Sequence, residues 1–227
     1  MRAIVLISTQ YSDNSFIVNL YTDESGMVVV SVRTGGHRSK FRRSYLMPLT
    51  ILDVELTGRE RSEIRYIGDC SLAYNPHTLG IEPIKILQSQ FLAEFLHKAL
   101  RTGGQDIAIF NFLEDSIHQF DTLENSLNFH LHFLAKLMPF VGIMPDFTAF
   151  SDDSVLDITE GRMVMFSSGD FLEHNLCQRL MQIYETPNAH LTSADRRDLI
   201  DFFAKYYQRH LAGFGNLKTL DIFRTMV

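Results

Sequence analysis

Short apolar runs and period-two alternation fill the first 75 residues and predict β structure. Residues 3–7 form an apolar run, residues 15–21 alternate as Ser-Phe-Ile-Val-Asn-Leu-Tyr, and residues 27–32 are rich in valine behind the turn signal Asp23-Glu24-Ser25-Gly26. Residues 49–56 and 64–67 supply two more candidate strands, divided by the polar stretch TGRERSE. Five short strands fit a small barrel of the OB type. Its first three strands make a meander, and RTGGHRSKFRRSYLMP, residues 33–48, is a long connection between the third and fourth.

Near residue 76 the period changes. Pro76 and Pro83 bracket NPHTLGIEP, after which Ile84, Leu87, Phe91, Phe95, Leu96 and Leu100 recur at close to helical spacing. Segments 106–120 and 123–141 continue that period, the second with Leu127, Leu131, Leu134 and Met138. Between Pro145 and Gly169 it fails, and VLDITEGRMVMF, with its Glu-Gly turn, predicts a hairpin-like insertion at about 145–169. Helix returns over 170–185, and again behind the capping signal Thr192-Ser193-Ala194-Asp195 through Leu211, before a short closing helix. The expected fold class is α+β multidomain: an N-terminal five-stranded OB-fold β-barrel at 1–78, then an α-helical domain at 79–227 carrying the small β-hairpin insertion.

Composition narrows the function classes. With 45% hydrophobic and 21% charged residues the chain reads as globular, and no apolar run is long enough to span a bilayer. The opening MRAIVLISTQ has an apolar run too short for a secretory signal, so a cytoplasmic protein is expected. Two cysteines, Cys70 and Cys177, make neither a disulfide framework nor a four-cysteine zinc site. The histidine pair His130 and His132 sits in a helical period, where side chains two apart point about 200° from each other, and reads as structural. Neither HExxH nor GxSxG nor a phosphate loop is present, and Glu114-Asp115 and Asp152-Asp153 read as solvated charge. The pattern favours a binding protein over an enzyme, with no cofactor.

Charge distribution says where it binds. The net charge is -6, yet residues 1–80 hold nine Lys/Arg against eight Asp/Glu, whereas residues 81–227 hold twelve against nineteen. Five of the 21 cations fall within residues 33–43, around Gly35-Gly36 and beside His37. Such a run ordinarily makes a solvated loop. On an OB barrel, whose strand faces and loops hold oligonucleotides, it becomes a candidate phosphate clamp. Arg33, Arg38, Lys40, Arg42 and Arg43 are the candidate DNA-binding cations, with Tyr45 as candidate base contact and Phe41 within the run. Tyr11, Phe16 and Tyr21 lie on the first two strands, where aromatic residues more often pack into a core.

The stretch YSDNSFIVNLYTDESGMVVVSVRTGG, followed by LMPLTILDVEL and, near the C-terminus, FFAKYYQRHLAGFGNLKTLDIF, resembles the bacterial RecO family of recombination mediators. The resemblance implies a non-enzymatic DNA-repair protein that binds single- and double-stranded DNA and anneals complementary strands. With the partner RecR it would help load the RecA recombinase onto DNA coated by single-strand-binding protein, SSB. The family's contact with the acidic, Phe-terminated SSB tail implies a cation beside an apolar pocket. Lys218 and Arg209, with Leu217, Leu220 and Phe223, are the candidates, and a packed terminal helix with a snorkelling lysine accounts for the same residues. Many relatives carry a four-cysteine zinc site between the third long helix and the later ones. Here the corresponding span, about 142–177, holds only Cys177, so the hairpin is expected to order it without metal. Two other readings stay open: a protein-interaction scaffold that never touches DNA, and a metal-dependent nuclease built on Asp152, Asp153 and Asp157.

Overall fold

Strand β1 (Arg2–Ser12) pairs with β2 (Ser15–Thr22), and β2 with β3 (Gly26–Arg33), as the antiparallel meander expected from the alternation. The computed structural model describes residues 1–35, 41–58, 62–166 and 168–225. Strands β4 (Ile51–Thr57) and β5 (Arg65–Leu72) complete a closed barrel of order β1-β2-β3-β5-β4. Closure needs one parallel pairing, β3 with β5, limited to Val30↔Arg65 and Ser31↔Tyr66, while β4 returns antiparallel to β1. Five strands in this order, with aliphatic residues directed inward, make an OB-like barrel.

Period-two alternation accounts for the core. On β2 and β3 the residues Phe16, Val18, Leu20, Val28, Val30 and Val32 are buried, while Ile17, Asn19, Val29 and Ser31 between them are half-exposed. Burying each such apolar side chain contributes about 1.5–3 kcal/mol. The connection between β3 and β4 is not wholly a surface loop. Its second half turns through a 3-10 helix, Arg43–Leu46, that drops Phe41 and Tyr45 into the barrel core.

Helices α1 (Pro83–Ala99) and α2 (Ile107–Thr122) follow, the second capped by the Asp106 side chain accepting from the amides of Ala108 and Ile109. α2 is pinned to the barrel. Tyr21 stacks on Phe110 at 6.5 Å, and Arg2 pairs with Glu114 while lying 5.6 Å over the Phe110 ring. Gly26, at φ 65°, lies so close to the Gly104 carbonyl that a Cβ would sit 2.9 Å from it.

The strand-to-helix change and the division into compact units fall at different places. The units are Met1–Leu123 and Glu124–Val227, so α1 and α2 group with the barrel and not with the later helices. The second unit holds α3 (Phe129–Phe140), α4 (His174–Glu185), α5 (Ser193–His210) and α6 (Leu220–Arg224). α3 starts later than the period suggests, because Leu127 is exposed and Asn128 is spent on bonding the Ala189 carbonyl at 2.8 Å. The capping signal before α5 forms a full capping box between Thr192 and Asp195. The expected insertion is a three-stranded sheet, β6 (Val155–Asp157), β7 (Arg162–Val164) and β8 (Phe171–Leu172), in the order β7-β6-β8. Residues 170–173, expected as the start of helix, supply β8 instead.

Candidate nucleic-acid interface

Arg33 ends β3 opposite Ser15, and both line an open cleft of about 720 Å³. The cleft lies where β3 and β5 part: their pairing stops at Ser31↔Tyr66, and the residues that follow, Val32 and Ile67, face the gap together with Phe41. Two β-bulges border it. In β1 the register runs Gln10↔Phe16 then Ser12↔Ser15, leaving Tyr11 as the extra residue, and in β5 Gly68 is extra between Ile67 and Asp69. Both bulged residues line the cleft.

Of the candidate cations, Arg33, Arg42 and Arg43 are exposed, while Arg38 and Lys40 lie outside the described residues. Arg43 spreads over the Phe16 ring at 5.8 Å, so it sits on the barrel rim beside the β2 end that also carries Ser15 and its partner Arg33. This places at least Arg33 and Arg43 at one end of the barrel. Tyr45 is different. It is buried, and Phe41 meets it edge-on at 5.6 Å, so its ring packs the core and offers no face for a base. Phe16 and Tyr21 are likewise core, and burial together with the nearby Asp106 pushes the Tyr21 phenol up to about 12. The aromatic rings that do reach solvent at the cleft are Tyr11, 80% exposed, and Tyr66, 59% exposed. Sequence reasoning passed over Tyr66; its signal is the outward phase of β5 set by pairing with Ser31.

In the second unit the residues considered for an acidic tail are dispersed in burial. Arg209 and Lys218 are exposed, Leu217 and Leu220 half-buried, and Phe223 is buried with His130 edge-on at 4.9 Å. Phe223 therefore fills the core and does not wall an open pocket. Arg209 instead borders a polar hollow with Lys205 and Asp170, which pair at 2.8 Å.

The histidines of α3 face separate partners. Burial, helped by Arg196, pushes the His130 imidazole down to about 3, while His132 Nδ1 lies 2.6 Å from the Ile183 carbonyl. Cys177 is buried, its thiol directed at the Leu172 carbonyl (3.4 Å) and pushed up to about 11 by burial, which does not suit a zinc-binding thiolate. The Asp157 carboxylate accepts from the amides of Thr159 and Glu160 inside its own hairpin. Among the described residues no group of three or more His, Cys, Asp or Glu is arranged to hold a metal ion, and no helix is long and apolar enough to cross a membrane.

Comparison with known proteins agrees with this architecture. Residues 1–76 match the family model described as Recombination protein O N terminal, and residues 82–152 match Recombination protein O C terminal. The chain is similar to the DNA repair protein RecO of Phocaeicola vulgatus, at 32% identity over 98% of this chain and 96% of the relative. It is also similar to those of Azobacteroides pseudotrichonymphae (30%, 99% and 97%) and Flavobacterium psychrophilum (28%, 98% and 96%). Both family models in their proper order, an OB-like barrel under the first, and relatives aligned almost end to end leave one assignment: this chain belongs to the RecO family.

Proposed function

We propose that this protein is a non-enzymatic DNA repair and recombination mediator that works in the cytoplasm on nucleoid DNA. It binds single- and double-stranded DNA, anneals complementary strands and, with RecR, helps load RecA onto SSB-coated DNA. The observation that supports this most directly is the exposed Arg33 and Arg43 at one barrel end, with Arg42 between the buried Phe41 and the 3-10 turn. Annealing makes and breaks no covalent bond. It needs two strands held at reduced repulsion while base pairing drives the reaction, and distributed arginines supply that. The acidic SSB tail is assigned to the second unit, with the exposed Arg209 and Lys218 as its candidate cations.

The test is a titration of a labelled oligonucleotide at two salt concentrations. Replacing Arg33, Arg42 and Arg43 together by alanine should weaken binding and reduce the slope of log affinity against log salt by roughly 2, at about 0.7 per phosphate contact on a single strand. Affinity and slope both unchanged would move the clamp elsewhere. The excess of acidic residues over 81–227 favours a scaffold as the second reading, and undetectable DNA binding at low salt would select it. Annealing itself is read by loss of single strands from a complementary pair.

A further inference from the structure

We infer that the cleft between β3 and β5 is a stacking site for unpaired nucleobases, with Tyr11 and Tyr66 as its platforms and Arg33 beside it for the adjoining phosphate; this rests on the DNA-binding reading above. Four features of the cleft carry the inference. Its volume, about 720 Å³, falls within the range of roughly 300–1,000 Å³ usual for small-ligand sites. Both tyrosines are large aromatic side chains left in solvent, 80% and 59% exposed, on a barrel whose other inner-strand aromatics, Phe16 and Tyr21, are buried. Each platform is placed by local backbone geometry: Tyr11 is itself the extra residue of a bulge, and Tyr66 stands two residues before the bulged Gly68. The floor is apolar at Val32, Phe41 and Ile67, while the Arg33 side supplies positive charge.

A duplex hides its base faces, so such a cleft discriminates unpaired from paired DNA, and it does so without reading sequence because every base offers a π face. Gly68 suits its bulge beside β4: a Cβ there would lie 2.7 Å from Thr57 Cγ2, so any larger residue would push β4 and the bulge that follows Tyr66 apart. The arrangement suits a protein that must hold single strands without fixing their sequence. It also makes the hold reversible, since stacking on a tyrosine competes with stacking on the next base pair and is given up when the complement arrives.

The experiment compares three fluorescein-labelled probes on the full chain at low salt: an oligo(dT), an abasic oligonucleotide of equal length and charge, and a duplex. Wild type should bind oligo(dT) more tightly than the abasic probe. Tyr11→Ala with Tyr66→Ala should remove that preference, weakening oligo(dT) binding roughly fivefold or more for each stacked base lost, with duplex affinity and salt slope unchanged. Tyr66→Phe should keep the preference, because the ring remains, which separates stacking from a hydroxyl contact. Equal wild-type affinity for oligo(dT) and the abasic probe, or a preference that survives the double variant, overturns the inference while leaving phosphate binding in place. Absence of binding to all three probes overturns both it and the DNA-binding reading. Circular dichroism melts of the variants should match wild type, since both side chains are exposed.

Discussion

Replacing Asp121 by alanine is expected to release the segment that leads from β5 into α1. The carboxylate is fully buried and accepts five hydrogen bonds: from the Tyr74 phenol (2.6 Å), the amides of His77, Thr78 and Leu79 (2.8, 2.7 and 3.0 Å) and the Thr78 hydroxyl (3.0 Å). Lys85, only 1% exposed, completes the cluster through the Thr78 hydroxyl (2.8 Å) and the Asp121 main-chain carbonyl (3.1 Å). Burial by itself would raise the Asp121 pKa. The bonds from His77, Tyr74, Thr78 and Leu79 outweigh it and hold the carboxyl well below the usual carboxylate range. Truncation leaves three main-chain amides and the Tyr74 phenol without their acceptor, and at about 1–3 kcal/mol for each donor left buried and unsatisfied the loss is roughly 3–5 kcal/mol. That is a large share of the roughly 5–15 kcal/mol that holds an ordinary domain folded.

The assay is urea denaturation of the full chain by far-UV circular dichroism, with hydrogen exchange read on a peptide covering residues 74–82. Asp121→Ala should lower the midpoint and strip protection from the amides of His77, Thr78 and Leu79 even without urea. Because the folded-state pKa is depressed, the contribution is complete above the unfolded value, about 3.9, and is lost as pH falls below it. Wild type and variant should therefore converge in strong acid. A variant within about 1 kcal/mol of wild type at pH 7, with those three amides still protected, would refute the reasoning.

Two further outcomes are expected in the second unit. His130 is held neutral with its pKa near 3 against 6.5 when unfolded, so stability is full above pH 6.5 and falls as pH drops toward 3, by about 2 kcal/mol at pH 5. His130→Gln should flatten the pH 5 to 7 difference in urea midpoint, and an unchanged difference would clear His130 of that role. Gly161 closes the β6–β7 turn at φ 68°, where a Cβ would stand 2.7 Å from the Tyr206 hydroxyl. Gly161→Ala should cost roughly 2 kcal/mol by strain and crowding, measured as a urea midpoint shift, and a neutral substitution would show that the turn can relax away from α5.

What the chain alone determined is what short-range chemistry can encode. Alternation at residues 15–21 and 27–32 decided which side chains of β2 and β3 turn inward, and Thr192 with Asp195 announced the start of α5. The Glu-Gly signal placed the β6–β7 turn, and the run from Arg33 to Arg43 marked a basic connection whose described cations, Arg33, Arg42 and Arg43, are exposed. These depend on neighbours a few residues apart, so they are legible along the chain.

Tertiary structure decided the rest because it depends on which distant segments meet. Phe41 and Tyr45 look like part of a solvated basic loop, yet closing the barrel left a volume at its end that two rings fill at once, and burying them outweighed any gain from leaving them in water. Tyr66 became a cleft residue only through the two-residue parallel pairing of β3 with β5, which sets its phase and then lets the strands part. Asp121, one carboxylate among many in the sequence, became the anchor of residues 74–79 because α2 carries it, 42 positions or more along the chain, to their unpaired amides.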